Sequence, residues 1–160
     1  MACCCDNRVV RDVAKEKWAN PDPAVHRAIA RWAAGCADRV VSIFEKHCPG
    51  DDRPRAAITA LRAWEEGVLP MTACRTAAFA AHAAARDAAG APAAVAAARA
   101  CGQAAAVAHM FDHSPHAAAY AAKAFGLDRG DTASRDAERA WQLQQLTPEL
   151  RRVVFPRGTP

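Results

Sequence analysis

A chain of 160 residues is long enough for one domain with a real hydrophobic core. Hydrophobic residues make up 52% of it but are mostly alanine, and aromatics only 6%, so the core must rely on close helix approach rather than bulky side chains. Lys+Arg total 21 against 17 Asp+Glu, interspersed, for a net charge of +4, which excludes a strong nucleic-acid stripe; Arg75, His82, Arg86 and Arg99 interrupt the alanine tract and exclude a bilayer span.

Residues 1–20, opening MACCCDNRVV, lack the apolar run of a secretory signal and read as a partly flexible segment or a short helix. The 7 cysteines show no paired C-x-x-C spacing, and Cys3, Cys4 and Cys5 are adjacent, so neither a zinc framework nor a disulfide framework is indicated. Reduced thiols in a cytoplasmic protein follow from this usage. Residues 21–155 then read as a single helical domain and 156–160 as an extended tail. Arg151, Arg152 and Arg157 give that end a basic bias, read as solvated.

The first helix is predicted from Asp22 as N-cap, with Pro23 at the first position, to a stop at Pro49-Gly50. Val25, Ile29, Trp32, Cys36, Val40, Ile43 and His47 form its buried stripe. A second runs from Asp52 and Pro54 to Gly67, and a third from Thr72 to Gly90. The fourth is expected from Pro92 to His113, with Ser114-Pro115 closing it and opening a fifth that ends at Gly126. A sixth begins near Asp131 or Thr132 and passes Trp141, and Leu150–Val154 adds a last turn. Nothing alternates with period two, so the fold class is all-α, a compact bundle of about six to seven antiparallel helices joined by short loops, with stacked helical hairpins as the alternative arrangement.

Chemistry is sparse on these helices. Arg75, Phe79, His82 and Arg86 share one helix face, either snorkelling to solvent or forming a cationic row for a carboxylate, internal (Asp38, Glu45, Glu65) or a partner's. His109 and His113, one turn apart on the fourth helix, have the spacing of a metal pair, yet the glutamate of H-E-x-x-H is missing and a third ligand would have to be His116 or His82. A hydrogen-bonded network is therefore favoured over a metal, and no cofactor is implied. Asp38 and Glu45 could pair as catalytic carboxylates but read as a solvated face. Cys36, Cys74 and Cys101 read as inert buried thiols, Ser114 as a cap, and GLDRGD lacks the phosphate-loop pattern.

In order and spacing, the stretches RWAAGCADRVVSIFE, DDRPRAAITALRAWEEG, CRTAAFAAHAAARDAAG, ARACGQAAAVAHMFDH, AAAYAAKAF and ERAWQLQQLTPELRRVVF resemble the immunity proteins of bacterial polymorphic toxin systems, a family of small alanine-rich actinobacterial proteins. The resemblance covers roughly residues 25–155. The family's Asp-x-Arg-Pro-Arg falls on Asp51, Arg53, Pro54 and Arg55, and its Arg-Ala-Trp on Arg62, Ala63 and Trp64. Its later arginines and histidines fall on Arg75, His82, Arg86, His109 and His113, and its tyrosine on Tyr120. Where the family tends to read Gly-His, this chain has Gly102-Gln103. What the resemblance implies is an all-α protein that binds and neutralises a partner toxin, read here as non-catalytic; charge and composition point to no nucleic-acid or membrane partner, and self-association is left open. Arg53, Arg55 and Arg62 beside Trp64, with Arg75 and Arg86, are the candidate partner- or anion-binding residues. The alternative is an enzyme or enzyme subunit in which Arg75, His82, Arg86, His109 and His113 line one pocket for a small anionic metabolite.

Overall fold

Proline and short polar caps start most helices of this chain, and a computed structural model shows where each takes hold. The structure describes residues 19–159; Cys3, Cys4, Cys5 and most of the segment 1–20 lie outside the described residues. Asp22 accepts a hydrogen bond from the backbone N–H of Ala24 at 2.9 Å, and Pro23 opens α1 (Pro23–Asp38), where a missing N–H costs nothing. The one helix expected from there to His47 is two. The chain turns at Arg39–Val40 and resumes as α2 (Val41–His47). Val40 and Val41, at the break, are both buried, and Arg39 beside them reaches the buried Glu138 of a later helix. The break leaves His47 exposed rather than on the buried stripe.

For α3 (Arg53–Glu65), Asp51 takes the capping role expected of Asp52, accepting from the Arg53 N–H at 3.2 Å. Then follow α4 (Met71–Asp87), α5 (Pro92–Ala106), a 3-10 turn at Phe111–His113, and α6 (Ser114–Arg129). α6 runs past Gly126 and ends at Gly130, whose φ of 72° is the left-handed cap that favours glycine. Gly126 instead permits close approach: a Cβ there would stand 3.0 Å from Cβ of Arg135 on the next helix. Asp131 caps that helix, α7 (Thr132–Gln144), and Thr147 caps α8 (Pro148–Val154).

At the centre lies α5, which touches α1, α2, α3, α4 and α6. Its buried residues are alanines with Cys101 and Gly102, so no side chain longer than a thiol holds those neighbours off. Bulk comes from the opposite side, where Ile29, Val40, Val41, Phe44 and Leu61 of α1–α3 are fully buried. Consecutive helices α4, α5, α6 and α7 lie side by side, and α5 backs onto α1–α3. Among the described residues no strand forms, and no helix is long and apolar enough to cross a membrane.

Candidate functional site

The arginines of α3 are occupied inside the molecule. Arg53 grips Asp51 with two hydrogen bonds, of 2.9 and 2.6 Å, and reaches Asp87 at the end of α4 at 2.8 Å. The hydrogen bond from Arg53 holds the Asp51 carboxyl below the usual carboxylate range. Arg55 pairs with Glu45 of α2, its Nη2 2.9 Å from Oε2, and its hydrogen bond lowers the Glu45 pKa. Arg62 pairs with Asp38 at the end of α1, and Arg31 of α1 with Glu65. Asp38, Glu45 and Glu65 are thus held by Arg62, Arg55 and Arg31 rather than by the α4 row. The helix break also means Asp38 and Glu45 share no helix face. Trp64 is half-buried against the core, its ring 5.0 Å from that of His26.

On α4 the four-residue row splits. Arg75, Phe79 and Arg86 are exposed, Phe79 to 62%, with the Arg75 guanidinium 5.8 Å from the Phe79 ring centroid. Neither Arg75 nor Arg86 has an ion pair among the described residues. His82 turns inward and lies on Gly102 of α5, where an added Cβ would stand 2.7 Å from its Cε1. Burial, then the charges of Arg99 and Arg86, push its pKa below the usual imidazole value. The neutral ring is the favoured form, and its buried Nδ1 has no partner.

The helix expected to carry His109 and His113 together stops at Ala106. Residues from the α1 end take the groups a longer helix would use: a His26 ring nitrogen meets the Val107 carbonyl at 2.6 Å, and Asn20 brackets the turn through the His109 carbonyl (2.9 Å) and the Phe111 N–H (3.0 Å). His109 therefore sits exposed on a turn and His113 on the 3-10 segment, so they do not form a one-turn helical pair. His113 Nδ1 is 2.8 Å from Gln103 Oε1, an acceptor that selects the Nδ1–H tautomer, and burial lowers the His113 pKa. Gln103, standing where an imidazole was anticipated, thus contributes a hydrogen bond. Ser114 is buried with an unpartnered hydroxyl rather than serving as a cap. Among the described residues no three His, Cys, Asp or Glu side chains gather closely enough to hold a metal ion. Burial raises the thiol pKa values of Cys36, Cys74 and Cys101, that of Cys74 to about 11, which suppresses thiolate chemistry.

A polar junction the sequence did not reveal fixes α7. Arg39, at the α1–α2 break, donates to the buried Glu138 at 2.8 Å, with its guanidinium 3.9 Å from the Trp141 ring centroid. Gln142 donates to Glu138 (3.1 Å) and to the Ala118 carbonyl (3.0 Å), and Trp32 Nε1 donates to the Gln142 carbonyl (2.8 Å). The i, i+4 pair Glu138/Gln142 within ERAWQLQQ was its only sequence trace.

Two open hollows remain on the outer face of the α4–α7 layer, one on each side of α6. Toward α7 a cleft of about 770 Å³ is bordered by His116, Tyr120, Lys123, Leu127 and Arg139. Toward α5 a second, of about 610 Å³, shares Tyr120, Lys123 and Leu127 and adds Val95 and Arg99. None of Arg75, His82, Arg86, His109 and His113 lines either hollow. The signal for this face was in the sequence: Arg99 is the lone charge of α5 and Lys123 the lone charge of AAAYAAKAF.

No curated protein and no solved structure shows significant similarity to the chain. One family does match, over residues 20–149, a span that takes in α1–α7 and both hollows. On that match the chain belongs to the family described as "Imm-5 like putative immunity protein".

Proposed function

We propose that the chain acts as a non-catalytic immunity protein in the cytoplasm, binding a partner toxin and neutralising it through the exposed face of the α4–α6 layer. Membership of the immunity family carries this reading. The distribution of charge supports the location. Arg31 of α1 and the three arginines of α3 are engaged with carboxylates, whereas Arg75 and Arg86 lie on the same helix as the exposed Phe79 without ion pairs among the described residues. An aromatic anchor ringed by arginines is the composition from which interface hot spots are built. Arg53, Arg55 and Arg62 would contribute only by exchanging internal carboxylates for a partner's, so Arg75, Phe79 and Arg86 are the residues to test.

Co-expression with candidate toxin domains from the native genome, each in a host that the toxin arrests, gives the direct assay. Growth should recover with the wild-type chain and be lost with the Arg75→Ala/Phe79→Ala variant at equal protein level. No rescue by the wild-type chain would dismiss the function; undiminished rescue by the variant would dismiss the face.

A further inference from the structure

We infer that the groove astride α6 is a receptor for an acidic segment of a protein partner. The inference rests on the partner-binding reading and adds to it a second place and a chemistry. His116, Tyr120, Lys123 and Leu127 follow one another at steps of four, three and four residues along α6, so they form one stripe. At about 1.5 Å per residue the stripe is roughly 16 Å long, the reach of about five residues of extended chain. Tyr120, Lys123 and Leu127 border the hollows on both sides of α6, so the stripe is a ridge shared by the two, and a segment laid along it reaches both.

The walls are mainly cationic. Lys123 stands between Arg139 on the α7 side and Arg99 on the α5 side, and none of the three has an ion pair among the described residues. Arg135, also on the cleft, is turned to its neighbour Asp136. One carboxylate borders the cleft, Asp131, whose two oxygens accept from the Ser134 N–H at 2.5 Å and hydroxyl at 3.1 Å as the cap of α7; it stays ionised, and the cations outnumber it. Unpaired cations in a concave site raise the local concentration of anions.

A protein segment fits better than the other anions. Leu127, 43% exposed, and Val95 give the site an aliphatic character that phosphodiester and sugar cannot use, beside the rings of Tyr120 and His116. A compact free anion would engage one or two of the cations and leave an open trough of this length in water. Carboxylates spaced around an aliphatic side chain would use both features.

The test is fluorescence anisotropy with a labelled octapeptide of six glutamates and two leucines at about physiological ionic strength, against labelled oligothymidylate of equal charge. The Lys123→Glu/Arg139→Glu variant is compared with Arg27→Glu/Arg152→Glu, which changes net charge equally at exposed positions outside the groove. Circular dichroism confirms folding of both, with Lys123→Ala/Arg139→Ala held as the milder substitute. Peptide affinity should fall about tenfold or more in the groove variant and about twofold or less in the control. Equal losses in both variants, no binding by the wild-type chain, or tighter binding of oligothymidylate would each overturn the proposal. Rescue from the toxin without peptide binding sinks the groove alone; peptide binding without rescue sinks the immunity reading and leaves the groove.

Discussion

Gly102→Ala isolates the contact that lets α4 settle against α5. In a helix interior, alanine is favoured over glycine by about 1 kcal/mol, so propensity alone predicts stabilisation. Here the new methyl would meet three atoms of the His82 ring at 2.7, 2.8 and 2.9 Å, separations that real Cβ atoms do not tolerate. The ring is half-buried between α4 and α5 and cannot retreat as a flexible side chain would. Overpacking of this kind costs about 1–3 kcal/mol, so the net expectation is destabilisation by about 1 kcal/mol, or a melting temperature lower by about 3 °C. The decisive measurement is a double-mutant cycle in urea. With His82→Ala already present the clash is gone, and Gly102→Ala should stabilise by about 1 kcal/mol. If the substitution has the same sign in both backgrounds, the ring-on-glycine packing is not what places α4.

The α7 junction gives an asymmetric pair. Glu138→Ala frees an arginine that is 39% exposed and can hydrate, a loss of about 1–3 kcal/mol, whereas Arg39→Met strands a buried carboxylate and should cost more at neutral pH. Burial already raises the Glu138 pKa, so the Arg39→Met deficit should shrink as the pH falls; a constant deficit between about pH 7 and 5 would refute the account. His82 and His113 have folded-state pKa values below the ordinary imidazole value near 6.5, chiefly through burial. Their unfolded forms take up protons first, so the stability they contribute is intact above about pH 6.5 and lost as the pH falls through the folded values. Thermal melts between about pH 7.5 and 5.5 should show this decline, flatter in His82→Gln, and an unchanged slope in that variant would count against the assignment. Cys36, Cys74 and Cys101 should resist alkylation in the native protein and react on unfolding, with peptide mapping as the readout; native labelling of any of the three would contradict their burial.

Local signals placed most helix starts, because Asp22, Pro23, Pro54, Pro92 and Asp131 act through bonds within a few residues. The misplaced ends have tertiary causes. α1 breaks at Arg39, whose side chain is held by Glu138 and Trp141 of α7, and α5 stops where Asn20 and His26, more than eighty positions away, take its would-be helical groups. That second event decided the fate of the His109–His113 motif. The arginines of α3 were legible as a charged row, but the pairing of Arg62 with Asp38 and Arg55 with Glu45, and of Glu65 with Arg31, depends on how α1 and α2 fold back over α3.

A core made largely of alanine has a further consequence for where recognition can reside. Alanine helices pack closely but offer few distinctive side chains, so the charges select which helix sits beside which: Arg53 joins α3 to α4, Arg55 to α2, Arg62 to α1, and Arg39 joins the α1–α2 break to α7. Those pairs engage Asp87, Glu45, Asp38 and Glu138, while Asp52 and Glu66 at the ends of α3 stay outside them. The opposite side, where α4, α5 and α6 lie flat against one another, keeps Arg75, Arg86, Arg99 and Lys123 without ion pairs among the described residues, beside Phe79, Tyr120 and Leu127. Unpaired cations beside exposed apolar side chains on these helices are what a partner of opposite sign would select.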